Sequence, residues 1–228
     1  MLPREGNLSL KTLRGKRNTW KKVFGKFLPD DRNIWILDAG CGTGRLLWWL
    51  QDMGYIHAEG IDIDSEQIAV AQKLGIVNVR RADLREYLGY KKEKYDIIFL
   101  RDILEHFKKE YLLEILTLCK NSLKDAGKVI IQTPNAESPF FGRVRYGDLT
   151  HEIAFSQSSL SQLLLLSGFK SIHFFPLEPV FKGMKSAARF LKWKMAQWLL
   201  KNFLYAELGH FNTIVTQNLI ALAEKGMH

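Results

Sequence analysis

The sequence predicts an α/β fold in which a largely parallel sheet of seven strands carries helices on both faces. Three observations favour this class. Short apolar runs alternate with amphipathic helical patterns from Asn33 onward, a glycine-rich turn follows the first run, and carboxylates stand where later runs end. We expect strands at residues 34–39, 57–62, 77–82, 95–100, 127–134, 170–177 and 212–223.

The helical patterns lie between these runs, where a parallel sheet needs its crossover connections. We expect helices at residues 45–53, 65–74, 108–123 and 157–167. Ser65 is placed to cap the second helix, and Gly54 and Gly168 stand where the first and last should end. Ligands of such sheets bind beyond the carboxyl ends of the strands, so the carboxylates that follow the strands should share one edge.

Composition limits the class of protein. A chain of 228 residues with 46% hydrophobic residues can form one domain with a proper core. Its two cysteines, Cys41 and Cys119, exclude a disulfide framework and a cysteine-rich zinc site, and they fit a reducing compartment. The chain has no apolar run long enough to span a membrane, and its N-terminal segment lacks the apolar stretch of a secretory signal. We therefore expect a cytoplasmic protein.

The net charge of +9 is concentrated in two segments. Residues 1–32 carry +6, residues 178–210 carry +4, and the remaining chain is nearly neutral at −1. We interpret residues 1–32 as a basic helical extension and residues 33–228 as the main domain, with a helical basic-aromatic insertion at about 178–210. Charge placed in this way indicates partners and not the fold.

The glycine-rich turn is the string "ILDAGCGTG", which begins at Ile36. Its glycines occupy every second position and are followed by Arg45, so it departs from the G-x-G-x-x-G turn that binds a dinucleotide. The phosphate-binding G-x-x-x-x-G-K-[ST] pattern is also missing. Asp38 would repel a phosphate at close range but would attract an ammonium or sulfonium group. An NAD-dependent oxidoreductase is therefore disfavoured.

Five strings in series, "ILDAGCGTG", "EGIDID", "RRADL", "YDIIFLRDILEHF" and "LKDAGKVIIQTPN", resemble the motifs of class I S-adenosylmethionine-dependent methyltransferases. They cover roughly residues 34–135 in the order of that family. The type most similar is the small-molecule and glycan-associated one, which includes methyltransferases like those of ubiquinone biosynthesis. The resemblance implies a Rossmann-like sheet whose last strand is antiparallel, with S-adenosylmethionine as cofactor.

The resemblance implies cofactor contacts on both sides of the turn. Gly40, Gly42 and Gly44 would let the loop pass under the methionyl and ribose parts of the cofactor. Asp38 would face its cationic end, and the backbone carbonyl of Arg101 would accept a hydrogen bond from its ammonium group.

Further contacts follow the second and third strands. Asp62 would accept hydrogen bonds from the ribose hydroxyls, and Ile63 would pack against the adenine. Asp83 would bind the adenine amino group, with the Leu84 amide nearby. Each aspartate could instead stabilise a turn or cap a helix, because aspartate is common at such positions. For Asp102, which follows the fourth strand, the cofactor role and the structural role are equally supported.

Two histidines are candidates for the base that an oxygen acceptor requires. His151 follows the fifth strand in a string similar to those of small-molecule and glycan-associated relatives, and we favour it as base or substrate contact. His106, just past the fourth strand, comes second. Either histidine could instead pack or cap a helix. A metal site from Asp148, His151 and Glu152 has weak support, so we expect no metal.

The basic insertion is amphipathic on a helical wheel. Its basic side holds Lys182, Lys185, Arg189 and Lys192. Its apolar side holds Met184, Ala187, Ala188, Leu191, Met195 and Trp198. One interpretation is peripheral membrane contact through residues 182–205. The other is a helix whose apolar side packs on the sheet or on a dimer partner. The oligomeric state is left open.

These features predict methyl transfer from S-adenosylmethionine to a hydroxyl of a small molecule, a sugar or a lipid-linked glycan. One rival is an RNA or protein methyltransferase that uses the two basic segments. Another is a module that binds the cofactor without catalysis. Nucleic acid is not the expected partner, because the sequence contains no recognised RNA- or DNA-binding module.

Overall fold

A computed structural model describes residues 9–180 and 183–226 of the chain. Its sheet has seven strands: β1 (Trp35–Ala39), β2 (His57–Asp62), β3 (Val79–Arg81), β4 (Tyr95–Arg101), β5 (Leu123–Pro134), β6 (Lys170–Pro176) and β7 (Asn218–Glu224). The spatial order is β3-β2-β1-β4-β5-β7-β6. Only β7 runs antiparallel to its neighbours, β5 and β6. The predicted seven-stranded, mostly parallel sheet with an antiparallel last strand is confirmed.

Eight α-helices accompany the sheet in the described residues: α1 (Leu10–Phe24), α2 (Arg45–Asp52), α3 (Ser65–Lys73), α4 (Leu84–Gly89), α5 (Lys109–Ser122), α6 (Phe141–Arg145), α7 (Gln157–Leu166) and α8 (Met184–Leu208). Helix α1 falls in the predicted basic extension, of which residues 1–8 lie outside the described residues. None of the helices described combines the length and the apolar character needed to span a bilayer.

Several details differ from the sequence prediction, among them the short helix α6, which was not predicted, and β5, which begins at Leu123 and not at residue 127. Asp64, and not Ser65, caps α3, because its carboxylate accepts hydrogen bonds from the amides of Glu66 and Gln67. Helix α4 was not predicted, since six residues are too few to show a helical period. The last strand begins only at Asn218.

The residues just before β7, 212–217, have no regular secondary structure and do not belong to the ladder. The side-chain amide of Asn135 donates hydrogen bonds to the carbonyls of Ile214 and Thr216, at 2.6 and 2.9 Å. The backbone amide of Asn135 donates to the carbonyl of Gln217 at 2.9 Å. Hydrogen bonds from Asn135, and not from a neighbouring strand, therefore hold this stretch.

Apolar side chains from both faces of the sheet form the core. One cluster lies under α5 and α7, with Leu116 and Leu164 among its fully buried members. The other lies under α1 and α2, where Phe24 of α1 meets Phe99 of β4 edge to face at 5.7 Å. Burial of a side chain such as Phe24 contributes roughly 1.5–3 kcal/mol to stability. Helix α1 is thereby fixed against the face that carries α2.

The buried carboxylate of Glu59 joins the strands on one side of the sheet. It accepts hydrogen bonds from Lys94, from Tyr87 at 3.0 Å and from Tyr95, and it pairs with Arg80 at 3.2 Å. These partners come from β3, α4, β4 and the residue before β4. The network fixes the elements that flank the carboxyl ends of β2 and β3.

Candidate active site

A cavity of about 400 Å³ lies at the carboxyl edge of the sheet. This volume falls within the usual range for small-molecule sites. Its wall follows the ends of β1 to β4, where strand order reverses between β1 and β4 and where ligands of such sheets bind. The wall is formed by Gly40, Gly42, Ile61, Asp62, Ile63, Gln67, Ala82, Asp83, Leu84, Asp102, Ile103, His106 and Phe107.

The structure divides the predicted site residues into two sets. Those on the cavity wall are Gly40, Gly42, Asp62, Ile63, Asp83, Leu84 and His106. Those not on the wall are Asp38, Gly44, Arg101 and His151. Their roles toward a ligand remain predictions, and the local geometry of each bears on what it can do.

The glycine turn requires its glycines for steric reasons. Gly40 has φ +72°, and a Cβ atom there would overlap the side chain of Ile103. Gly44 has φ +71°, and its Cβ would come within 2.9 Å of Ile76 Cδ1, so this glycine serves the packing of α2 and not the cavity wall. Positive φ angles are adopted readily by glycine alone. The turn can therefore follow the cavity closely with its backbone exposed.

Asp62 and Ile63 form the wall after β2. One carboxylate oxygen of Asp62 accepts a hydrogen bond from the Gly42 amide at 2.7 Å, and the other accepts from the Asp64 amide at 2.9 Å. Each oxygen retains a second acceptor position. Ile63 is 63% exposed, which places an apolar surface on the same wall. This pair can bind a diol beside a flat apolar ring.

Asp83 has a structural role whatever it binds. Its Oδ1 accepts hydrogen bonds from the amides of Arg85 and Glu86, at 2.8 and 3.1 Å, and so caps α4. Both of these bonds use one oxygen, and the residue lies on the cavity wall. The capping interpretation and the ligand-binding interpretation are therefore compatible.

Asp38 is a buried carboxylate with poor hydrogen bonding. It is 1% exposed, neither oxygen has a hydrogen-bond partner of good geometry among the described residues, and the Leu47 amide is a weak donor beside it. Burial raises the pKa of Asp38 to about 6, although the positive charge of Arg101 opposes the shift. Such a group is costly to ionise unless a cation approaches it.

Arg101 ends β4, and Asp102 follows it on the cavity wall. The guanidinium of Arg101 lies 4.6 Å from the ring centroid of Trp20 in α1. Asp102 has φ +51°, a region that residues other than glycine adopt infrequently. The side-chain amide of Gln132 donates to both oxygens of Asp102, at 2.9 and 2.7 Å, and holds this conformation.

Three titratable side chains converge beside the end of β4. Glu105, His106 and His151 each place one donor atom within 4.8 Å of the others, and the two imidazole rings meet edge to face at 4.8 Å between centroids. The structure thus brings the two predicted histidines together and adds Glu105. Sequence reasoning missed Glu105, although it stands next to His106 in "LEHF", because nothing in the sequence showed that it is buried.

Hydrogen bonds fix the orientation of both rings. Nδ1 of His106 lies 3.3 Å from the carbonyl of Thr150 and 2.9 Å from its hydroxyl, and that hydroxyl donates to Asp148 at 2.7 Å. Nδ1 of His151 lies 3.1 Å from the carbonyl of Val144. A carbonyl can only accept, so in the neutral form both rings carry the proton on Nδ1. We assign Nε2 as the basic nitrogen of each.

The same three side chains could hold a divalent cation. Two imidazole nitrogens and one carboxylate are a ligand set used by zinc and non-haem iron. Burial raises the pKa of Glu105 to about 8, and the negative charge of Asp102 adds to the effect. The carboxyl group is therefore mainly protonated near neutral pH unless a cation lies beside it.

We expect Glu105→Gln to remove part of the pH dependence of stability. The folded-state pKa of about 8 exceeds the ordinary value of 4.5, so wild-type stability is complete below the ordinary value and falls as pH rises towards 8. Glutamine resembles the protonated form and lacks this loss. The difference in free energy of unfolding between the variant and the wild type should therefore grow by about 3 kcal/mol, in favour of the variant, from pH 6 to pH 9. Urea titrations with EDTA at both pH values measure this, and a constant difference would contradict it.

Comparisons with known proteins give the class. Residues 13–174 match the family of methyltransferase domains, and the chain belongs to that family. A solved S-adenosylmethionine-dependent methyltransferase from Archaeoglobus fulgidus superposes with a TM-score of 0.67 at 23% identity, over 94% of this chain and 96% of that one. Phosphoethanolamine N-methyltransferase 2 from Haemonchus contortus, solved in complex with S-adenosylmethionine, superposes with a TM-score of 0.65 at 19% identity. The match covers 92% of this chain and 53% of that one. These structures share the fold.

Curated relatives match only part of their own length. The tRNA U34 carboxymethyltransferase of Actinobacillus succinogenes is 32% identical over 122 residues, which is 50% of this chain and 36% of the relative. The ribosomal protein L11 methyltransferase of Ruminiclostridium cellulolyticum is 36% identical over 83 residues, 33% of this chain and 25% of the relative. The chain thus matches about a third of their length or less.

The fold and family define a class I methyltransferase that uses S-adenosylmethionine. The site fits this cofactor on an observation of its own: the buried carboxylate of Asp38 has no hydrogen-bond partner of good geometry among the described residues, and the cofactor carries a sulfonium and an ammonium group. The predictions of family, fold and cofactor are confirmed.

Proposed function

We propose that the protein methylates a hydroxyl group of a small molecule, a sugar or a lipid-linked glycan. The observation that carries this proposal is the cluster of Glu105, His106 and His151 beside the end of β4. Of the two histidines, only His106 lies on the cavity wall. We therefore assign Nε2 of His106 as the base, and His151 as the residue that holds its ring.

The chemistry divides between donor and acceptor. When bound, S-adenosylmethionine supplies an electrophilic methyl group. The backbone of the glycine turn and Asp62 would hold the cofactor, and Asp38 would balance its positive charge. Most of the rate comes from holding the acceptor oxygen in line with the methyl group. The base is needed because a hydroxyl must lose its proton as the new bond forms.

A chain of hydrogen bonds prepares His106 to take that proton. Nδ1–H donates to the hydroxyl of Thr150, which donates to the carboxylate of Asp148. The hydrogen bond from Thr150 lowers the pKa of Asp148, so this carboxylate is ionised at neutral pH. The chain fixes the orientation and the tautomer of the His106 ring, so that Nε2 is the atom that accepts the proton.

Methyl transfer from labelled S-adenosylmethionine tests the proposal. The acceptors are catechols and quinols, free sugars and lipid-linked glycans, compared with tRNA, ribosomal protein and phosphoethanolamine. We expect label in a hydroxyl-bearing acceptor, as a methyl ether identified by mass spectrometry. Transfer only to tRNA, to protein or to an amine would overturn the proposal. Cofactor binding without transfer to any acceptor would count against the proposal and favour a module that binds the cofactor without catalysis.

Dialysis against EDTA is the control for the role of the cluster. If His106 acts as the base without help, activity should survive removal of metal ions. Loss of activity that Mg²⁺, Mn²⁺ or Zn²⁺ restores would show that Glu105, His106 and His151 hold a cation, and the assignment of His106 as base would be wrong.

A further inference from the structure

Helix α8 is attached to the domain along one side only. Trp193, Leu200 and Leu204 are half-buried on its inner side. Lys194 pairs with Glu178, the residue two positions after the end of β6, at 2.8 Å. None of the α8 residues whose burial is described is fully buried. The helix has 25 residues and is therefore about 37 Å long.

The opposite side of α8 is apolar and exposed. We call this the outer stripe. It consists of Leu191, Met195, Trp198, Leu199 and Phe203, which are 71%, 61%, 63%, 55% and 71% exposed. Their spacing of three and four residues places them on one face. Leu191, Met195 and Trp198 of the predicted apolar side therefore do not pack on the sheet.

Basic residues stand on both margins of the outer stripe. At 100° per residue, Arg189 falls on one margin and Lys201 on the other, while Lys192 lies inside the stripe between Leu199 and Phe203. The only acidic residue of α8 is Glu207, in its last turn. An apolar stripe bordered by cations is the arrangement of a helix that lies in the plane of a membrane surface. The side chain of Lys185 and residue Lys182 lie outside the described residues.

The second basic segment of the chain adjoins the start of α8. A cleft of about 780 Å³ separates α1 from the residues before α8. It is lined by Gly15, Asn18, Thr19, Lys21, Lys22, Val180 and Gly183. Segments that are far apart in sequence thus meet at this cleft, and its two lysines, Lys21 and Lys22, come from α1. The cleft offers ammonium, amide and hydroxyl donors, which is the chemistry that binds a phosphate group.

We propose that the protein docks on an anionic phospholipid bilayer, with the outer stripe of α8 among the acyl chains and its basic neighbours at the lipid phosphates. Charge complementarity favours this occupant. A second copy of the chain would bring like charges together along the stripe, and a nucleic acid would leave its aliphatic residues without an apolar partner. The proposal does not depend on the identity of the methyl acceptor.

Flotation with lipid vesicles tests the proposal in the intact chain. We expect the protein to float with vesicles of phosphatidylcholine and phosphatidylglycerol and to remain behind with phosphatidylcholine alone. Trp198 is the one exposed tryptophan of the six in the chain, all of which lie in described residues. Its fluorescence should shift to shorter wavelength on anionic vesicles, and Trp198→Phe should remove the shift while flotation persists.

Paired variants separate the contribution of the apolar stripe from that of the basic residues. Trp198→Ser with Phe203→Ser should abolish flotation, whereas Leu165→Ser with Leu166→Ser, two exposed residues of α7, should not. Arg189→Glu with Lys192→Glu should weaken binding at least about tenfold. Lys73→Glu with Lys92→Glu, which makes the same change in net charge at exposed positions elsewhere, should weaken it less.

Four results would overturn the proposal. The first is a wild type that stays in the soluble fraction with anionic vesicles, and the second is a stripe variant that floats as well as the wild type. Light scattering could show a dimer that the stripe variant converts to monomer, which would assign the stripe to a second copy. A gel shift with tRNA that the stripe variant abolishes, without vesicle binding by the wild type, would assign it to nucleic acid.

Discussion

We expect Asp38→Asn to bind S-adenosylmethionine at least about 100-fold more weakly than the wild type while the free protein becomes more stable. Loss of a buried charge opposite a cationic ligand costs about 3 kcal/mol or more, which gives the loss of affinity. The gain in stability arises because the carboxylate of Asp38 is buried without a hydrogen-bond partner of good geometry among the described residues. Asparagine has the same shape and no charge.

The pH dependence gives the sign of the stability change. The folded-state pKa of Asp38, about 6, exceeds its ordinary value of 3.8, so the wild type loses stability as pH rises from about 4 to about 6. Asp38→Asn avoids this loss. Its free energy of unfolding at pH 8 should therefore be about 3 kcal/mol higher than that of the wild type. Calorimetry measures the affinity, and urea unfolding at pH 4 and pH 8 measures the stability.

Asp30→Asn is the matched control, since Asp30 is exposed and far from the cavity wall. It should change neither affinity nor stability appreciably. The role of Asp38 would be refuted by a variant that binds the cofactor as the wild type does. A variant that is less stable at pH 8 would instead contradict the account of its buried charge.

For a hydroxyl acceptor, His106→Ala should lower kcat by about 100- to 10,000-fold, the usual contribution of a general base. The affinity for S-adenosylmethionine should change little, because the residue is assigned to the acceptor and not to the cofactor. Since solvent hydroxide would then have to remove the proton, kcat of the variant should rise with pH where the wild type has levelled off. Steady-state kinetics across pH measures both effects.

Two further variants make this result specific. His173→Ala removes an exposed histidine of β6 and should leave kcat unchanged. Thr150→Val removes the hydroxyl that links His106 to Asp148, and it should lower kcat by less than His106→Ala does. Equal kcat values for His106→Ala and the wild type would exclude His106 as the base.

The sheet could be predicted because its strands are strongly patterned. The runs that became β1, β4 and β5 are apolar on both faces, as strands covered by helices must be. The elements that were missed or misplaced depend on contacts far along the chain. Helix α4 is one and a half turns long and starts at the Asp83 cap, and the start of β7 is set by Asn135, which claims the carbonyls of Ile214 and Thr216.

The site was predictable in the same uneven way. The turn and Asp62 stand in short strings whose order follows the strands, so their common edge followed from the fold. Glu105 was missed because its burial results from the loop after β5 folding over it, with the amide of Glu152 donating to the Glu105 carbonyl at 2.7 Å. The meeting of His106 with His151 depends on the same loop, whose path no local pattern specifies.

The neighbouring positions of β6 and β7 have a consequence for how this enzyme can change. Antiparallel neighbours need only a short hairpin between them, yet residues 177–217, with α8, occupy that connection. Residues 214–217 of this segment are bonded to Asn135, but no described residue of α8 takes part in the strand pairing or in the wall of the cavity. Helix α8 can therefore be lengthened, shortened or exchanged as a module without a change in the strand pairing of the sheet.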